Sequence, residues 1–342
     1  MFFLFGLVFG SFLNVCIHRM PRRILARERR QDLEDQLTTD PIAELQVEVQ
    51  ALRAQERSLS VAGPRSACPK CHAGIAWYDN FPVLSWLALG GRCRHCRAPI
   101  SPRYLIVELL TAILFLACFE RFGFSLAAAK YCTLSFLLLG LIFTDAEWKL
   151  LPDALTLPGI LLGIAFAALV PVNDFALEIL GGLFSIPMLS GHAAHAAMAW
   201  RLDSMAQAGL GALVGGSFIY GAGVIYLRAR GVEGMGLGDV KLMAMVGAFL
   251  GIGLTVFTVF TASLLGSAFG LGTMLVVWTR RMRRRLKRES ARQAGQRAWR
   301  SAALVYRYFA IPFGVFLGGM ALVAAFFGNT LVMWYWLRFM QG

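Results

Sequence analysis

Two carboxylates stand where the surrounding sequence makes them costly. Asp239 closes the glycine-rich stretch "GMGLGD" (234–239) and opens the apolar run that follows it; Asp145 closes another, "LIFTD" (141–145). Acids at a membrane edge are rare and are functional candidates for that reason. Two facing carboxylates can hold one water and share one proton. One then takes a proton from the water while the other gives one to the carbonyl under attack. Gly236 and Gly238 would let the backbone run close to an extended substrate. The plainer alternative is that Asp239 caps a helix and Asp145 only reaches toward the interface. Asp153 is a rival to Asp145, although Pro152-Asp153 reads as a helix start, with the acid near the N-terminus. Glu108, about one turn inside another apolar run, is a further candidate for a site or a helix contact.

A second constellation is made of sulfur. "CPKC" at 68–71 and "CRHC" at 93–96 are separated by 21 residues. Thiolates three apart on a tight turn can take two corners of a tetrahedron, and a second such turn supplies the other two. That predicts a structural zinc site on Cys68, Cys71, Cys93 and Cys96, with no open position for water. His72 and His95 are read as neighbours rather than ligands. Cys16, Cys118 and Cys132 lie in apolar runs and read as small buried hydrophobes. His192 and His195 read as surface histidines.

The elements that must hold these groups follow from composition. The chain is 57% hydrophobic and only 15% charged over 342 residues, too apolar for a soluble globule of this length. The expected architecture is an all-α polytopic membrane protein with about eight transmembrane helices and a cytoplasmic zinc-ribbon-like insert. The spans fall near 2–17, 104–119, 124–144, 153–171, 207–227, 239–251, 254–279 and 304–327, several of them approaching the roughly 20 residues that cross about 30 Å of hydrocarbon. The first, "MFFLFGLVFGSFLNVCI", has no basic n-region and no small-residue cleavage site, so a removable signal is not expected. With the N-terminus outside, the inner loops hold 29 of the 33 lysines and arginines. The positive-inside bias therefore places both termini outside and both aspartates near the inner face. The insert then lies on the reducing side, where disulfides are disfavoured and metal ligation is favoured.

The chain divides into a first span (1–17), an insert (18–103) and a membrane core (104–342). Within the insert, 22–60 is a charged segment. Asp40-Pro41 reads as a helix start, and Ile42, Leu45, Val49 and Leu52 form a stripe; one or two charged helices, or a solvated insert, would account for it. Residues 64–103 form the four-cysteine unit. Segment 172–206 is too broken for a span and is read as an outer, partly interfacial piece. The tract 280–307 is strongly basic. Its position beside a span and the net charge of +13 point to anionic lipid headgroups, with no nucleic acid expected.

Taken in order, "GSFLNVCIHRMP" (10–21), the two C-x-x-C pairs, "NFPVLSWLALGGRCRHC" (80–96), "ISPRYLIVELLT" (100–111), "TDAEWKLLPDALTLP" (144–158), "GMGLGDVKLMAMVGAFLG" (234–251) and "IPFGVFLGG" (311–319) resemble the type IV prepilin leader peptidases. These are bifunctional intramembrane aspartic proteases of the GxGD kind and N-methyltransferases. The resemblance implies that Asp145 and Asp239 are the catalytic pair, in preference to Asp153, and that the four cysteines hold zinc. It implies a bacterial inner-membrane enzyme with periplasmic termini. Such an enzyme cuts type IV prepilins or type II secretion pseudopilins after a glycine and methylates the new N-terminus with S-adenosylmethionine. The longer segments 22–60, 172–206 and 280–307, and "IPFGV" where "IPFGP" is commoner, depart from the pattern. Since 22–60 lies in the loop linked to methylation, a protease of the same mechanism without methyl transfer stays open. So does a non-enzymatic membrane scaffold carrying a zinc ribbon.

Overall fold

In a computed structural model the chain is described over residues 1–39, 43–63, 65–172, 199–231, 234–286, 293, 295–301 and 312–339. Among these residues it is helical: α1 (Phe2–Thr39), α2 (Ala43–Ser58), α3 (Leu84–Ala88), α4 (Arg103–Phe122), α5 (Leu126–Trp148), α6 (Asp153–Ala167), α7 (Ala199–Arg230), α8 (Leu237–Leu250), α9 (Ile252–Arg285), α10 (Phe313–Val323) and α11 (Asn329–Phe339). A π-helical turn, Ala324–Gly328, joins α10 to α11. The only β pairing among the described residues is two isolated bridges, Ala67 with Gly74 and Arg92 with Pro99. Asp40-Pro41, His192, His195, most of 172–206 and parts of 280–307 lie outside the described residues.

Five helices are long and apolar enough to cross a membrane: Phe2–Thr38, Leu126–Trp148, Trp200–Arg230, Ile252–Arg285 and Phe313–Arg338. Three of the eight expected spans fall instead on α4, which carries Glu108, Glu120 and Arg121 along its 20 residues, on α6 with 15 residues and on α8 with 14. The last apolar helix also sits further along the chain than 304–327, running on through the π-turn to Phe339. The first helix does not end with the expected span at residue 17. It passes through Pro21 into the charged segment as far as Thr39. A proline inside a helix costs about 3 kcal/mol through its lost hydrogen bond and ring clash. The extension is held by α2, which folds back along it with Ala26, Leu33 and Val49 buried and with ion pairs Arg29–Glu48, Arg30–Glu56 and Arg53–Glu34 across the hairpin.

α8 is the centre of the membrane core. Leu242, Met243, Met245, Val246, Phe249 and Leu250 are all buried in one cluster with Leu134, Leu138 and Leu141 of α5, Leu155 of α6, Ile219 of α7 and Leu317 of α10. A helix apolar all round belongs in such a position. Glycines set how closely its neighbours approach. Gly211 and Gly215 of α7 back onto Gly247 and Met243 of α8, while Gly159 and Gly163 of α6 meet Met245, Ala248 and Phe249; a Cβ at Gly163 would sit 2.8 Å from the Ala248 Cβ. The same i, i+4 glycine spacing brings Gly6 and Gly10 of α1 against Ala112 and Glu108 of α4, and Gly314 and Gly318 of α10 against Asp145 and Ile142 of α5. In lipid, where apolar surface alone gives helices no reason to associate, such close backbone contact is a main source of packing energy.

Candidate active site and metal centre

Asp145 occupies the last turn of α5. That helix starts at Ser125, whose hydroxyl oxygen accepts the Ala128 N–H. It ends when Lys149 turns into the left-handed region at φ 53° and donates its N–H to the Asp145 carbonyl. The Asp145 side chain is 6% exposed. Its Oδ2 accepts the N–H of Val315 at 3.0 Å. Val315 is the third residue of α10, whose own N-cap, Pro312, offers no side-chain acceptor. An aspartate from one helix therefore caps the start of another, where free amides and the helix dipole both favour a carboxylate. Gly314 makes this possible: a Cβ there would stand 2.9 Å from Asp145 Oδ2.

Asp239 occupies the first turn of α8. Gly236, with extended backbone at φ −80° and ψ 152°, is the N-cap, and the Asp239 N–H donates to its carbonyl at 3.1 Å. The side chain is 8% exposed, and Oδ1 is buried without a hydrogen-bond partner among the described residues. Asp145 and Asp239 lie close enough to interact electrostatically. The helix starts of α8 and α10 beside them are bridged by one side chain. Leu151, between α5 and α6, packs on both Gly238 and Gly314. Of the two glycines expected to admit a substrate strand, Gly236 is exposed, with only the Gly238 backbone N within 4 Å of where a Cβ would stand, whereas Gly238 is half-buried under Leu151.

This arrangement can do acid–base chemistry. One buried carboxylate is tethered through one oxygen to a helix start. The other has an acceptor oxygen that nothing in the described chain uses. A water placed between them would have an acceptor on each side. Asp153 has a different setting. It begins α6, is 55% exposed at its side chain, and holds Lys241 with both carboxylate oxygens, at 2.7 and 2.8 Å. Glu108 is buried in α4 and accepts the Val83 N–H at 2.8 Å, tying the segment before the second cysteine pair to α4. Sequence reasoning missed Leu151, Gly314 and the Val315 amide. "IPFGVFLGG" was among the stretches that carried the resemblance, but nothing in its composition says that its backbone would meet an aspartate 170 residues away.

The four cysteines do converge. All four Sγ atoms lie within 4.8 Å of one another, with Cys68 and Cys96 at 3.7 Å. A tetrahedron with Zn–S bonds of ~2.3 Å has edges of ~3.8 Å, so the donor set fits zinc. The two pairs are built alike. The Cys68 N–H donates to Ala73 O at 3.0 Å and that of Cys93 to Ala98 O at 2.8 Å; the carbonyls of Cys68 and Cys93 accept from His72 and Arg97. His72 and Arg97 each follow the second cysteine of their pair, and each turns at φ 57°. Amides of Cys71 and Lys70 directed at the Cys68 sulfur bring its thiol down to about 6, favouring the thiolate that a metal needs. Arg94 clamps the second pair to the preceding turn through two hydrogen bonds to Asp79, which holds that carboxyl below the usual carboxylate range. Cys16, Cys118 and Cys132 are buried in their helices.

Comparison with known proteins gives two family matches along the chain. Residues 4–122 match the bacterial peptidase A24 N-terminal domain and residues 132–271 the type IV leader peptidase family. The chain is 32% identical over 338 residues to a prepilin leader peptidase/N-methyltransferase of Aeromonas hydrophila, covering 99% of this chain and 93% of that protein. It is 33% identical over 268 residues to one of Pseudomonas aeruginosa, covering 78% of each. It is 37% identical over 279 residues to one of Burkholderia pseudomallei, covering 81% of this chain and 76% of the relative. No solved structure matches at a significant level.

Proposed function

The chain belongs to the type IV leader peptidase family, and on that premise we propose that it cleaves the leader from prepilin-type substrates with Asp145 and Asp239 as the catalytic pair. It is a membrane peptidase that also transfers a methyl group to the new N-terminus. The substrates are type IV prepilins or type II secretion pseudopilins, cut after glycine, and S-adenosylmethionine is the methyl donor. The observation that carries the assignment is the burial of two acids from distant parts of the chain, one at the end of α5 and one at the start of α8, within electrostatic reach of each other.

In the proposed reaction one carboxylate takes a proton from a water held between the two. The hydroxide character so produced attacks the scissile carbonyl carbon, while the second carboxyl gives its proton to the carbonyl oxygen. Collapse of the tetrahedral intermediate breaks the C–N bond. The proton taken from the water passes to the leaving amine nitrogen, while a hydroxyl of the intermediate returns its proton to the second carboxylate as the C=O reforms, so the pair again holds one proton. Val315 fixes the orientation of Asp145 through one oxygen, leaving the other for this chemistry. Leu151 keeps the starts of α8 and α10 in register.

Cys68, Cys71, Cys93 and Cys96 would hold one zinc ion. Its part is structural, since four thiolates leave no position for water. The membrane arrangement we propose has about eight crossings in a bacterial inner membrane, with α4, α6 and α8 as the three shorter ones. Both termini are periplasmic and the aspartates lie near the cytoplasmic face. Residues 18–103 form a cytoplasmic unit, 104–342 the protease core, 172–206 a periplasmic segment and 280–307 a basic tract that meets anionic lipid.

The test is incubation of detergent-purified protein with a prepilin and isotopically labelled S-adenosylmethionine, reading cleavage and methylation separately. Cleavage after glycine followed by label on the new N-terminus is the expected result. Cleavage without label would identify a protease alone, and absence of both would leave the scaffold reading.

A further inference from the structure

The α1–α2 hairpin carries a feature that peptide cleavage does not use. Its charges are paired unevenly along its length. Toward the tip, Arg29 meets Glu48, Arg30 meets Glu34 and Glu56, and Arg53 meets Glu34, at 2.6 to 2.9 Å. These pairs engage Glu34, Glu48 and Glu56. At the base of the hairpin, where α1 leaves the apolar segment, Arg23 and Arg57 are exposed and their guanidiniums have no hydrogen bond or ion pair among the described residues. Between the arms lies an open cavity of about 340 Å³, lined by Arg23, Arg30, Arg53, Glu56 and Arg57. Four guanidiniums and one carboxylate leave that lining three positive charges in excess.

The spacing makes this more than a solvated face. Arg23 and Arg30 are seven apart on α1, and Arg53 and Arg57 are four apart on α2, so each pair lies on one side of its helix. Arg30 and Arg53 are fixed by their carboxylates. Arg23 and Arg57 still have whole guanidinium forks to offer, and a fork of parallel N–H donors matches the oxygens of a phosphoryl group two at a time. A strongly hydrated metal cation or a basic peptide would meet repulsion here. Height along the helix matters too. Arg23 is six residues beyond residue 17, about 9 Å along the axis, close to the headgroup layer.

We propose that the α1–α2 cavity is a binding site for a phosphoryl group, gripped chiefly by Arg23 and Arg57, with Arg30 and Arg53 held in place by Glu34 and Glu56. The group can belong to an anionic phospholipid or to a soluble phosphate compound. The site is separate from the aspartate pair and does not depend on the proposed cleavage activity.

Two measurements on the full-length, zinc-loaded protein distinguish the sources. In detergent at low ionic strength, inorganic pyrophosphate is titrated in by calorimetry. In bilayers, the protein is reconstituted into phosphatidylcholine with or without phosphatidylglycerol, and hydrogen exchange is followed in peptides covering 19–58. A soluble ligand gives saturable heat in the first; a headgroup gives protection in the second that needs the anionic lipid. Either response should weaken by about tenfold or more in R23Q/R57Q, recover in part in R23K/R57K, and persist in R29Q, whose side chain lies outside the cavity. Following 19–58 keeps the result independent of lipid binding by the 280–307 tract. No response in either measurement, or a response of equal size in R23Q/R57Q, would overturn the proposal.

Discussion

At the scale of single residues, the two aspartates differ in what surrounds them, and this decides how each replacement should read out. Asp145→Asn keeps an oxygen that can accept the Val315 amide, so α10 should stay docked while the acid–base function is lost. Asp239→Asn removes a buried charge whose Oδ1 has no partner among the described residues and should not cost stability. Each should lower prepilin cleavage by about 1000-fold or more, on the usual magnitude of positioned acid–base catalysis, with unchanged yield and thermal stability. Substantial cleavage by either variant would reject the pair. Asp153→Asn should keep most activity, because that side chain is exposed and engaged with Lys241; its inactivation with normal expression would move the first position to 153. Gly314→Ala is a subtler probe. The new methyl would meet Asp145 Oδ2 and Cγ at 2.9 and 3.0 Å, so the carboxylate must swing away. A displacement of that order can cost about 100-fold in rate with the fold intact; wild-type kcat in this variant would show that the Asp145–Val315 contact plays no part. Both aspartates were legible from sequence because an acid at the end of an apolar run is conspicuous. Their partners were not, because a backbone N–H has no letter in the sequence.

At the scale of elements, the cysteine spacing foretold that the four thiols would meet, as they do. Two C-x-x-C turns make a local pattern, and the same hydrogen bonds and the same left-handed residue recur in each. The first span, expected at 2–17, continues as one helix through Pro21, and the partner that lets α1 continue, α2, begins more than twenty residues later. The recurring G-x-x-x-G spacing at 6–10, 159–163, 211–215 and 314–318 was also available and passed over; its meaning depends on which helix faces which. The four-cysteine unit contains little besides short turns and the five-residue α3, so its order should depend on the metal. Purified protein should carry about one zinc per chain. Chelation, or Cys68→Ser, should expose 65–102 to protease while the membrane helices stay intact. Cleavage should survive better than methylation, since both aspartates sit outside that unit. Absence of zinc from protein purified without chelator would count against the site.

At the scale of the whole molecule, the helical membrane class was legible from composition alone, whereas the number of crossings was not. A hydropathy window sees length and charge, and α4 is charged while α6 and α8 are short. The shortness of α8 has a consequence for the reaction. Fourteen residues rise only about 21 Å, less than the ~30 Å of hydrocarbon, and α8 is flanked by longer helices on several sides. Its first turn is therefore expected to sit below the ends of α7 and α9, with a recess over Asp239. Peptide hydrolysis consumes a water molecule for every bond cut, and a bond delivered from lipid arrives without one. The exposed turn at Gly236 would mark the supply line. Gly236→Cys in reconstituted protein should react with a charged, membrane-impermeant maleimide added from the cytoplasmic side, with the label localised by mass spectrometry. Reaction only after the bilayer is dissolved would mean that the reagent for hydrolysis enters by another route. If the recess is present, the enzyme cuts inside a membrane protein by thinning the barrier rather than by crossing it.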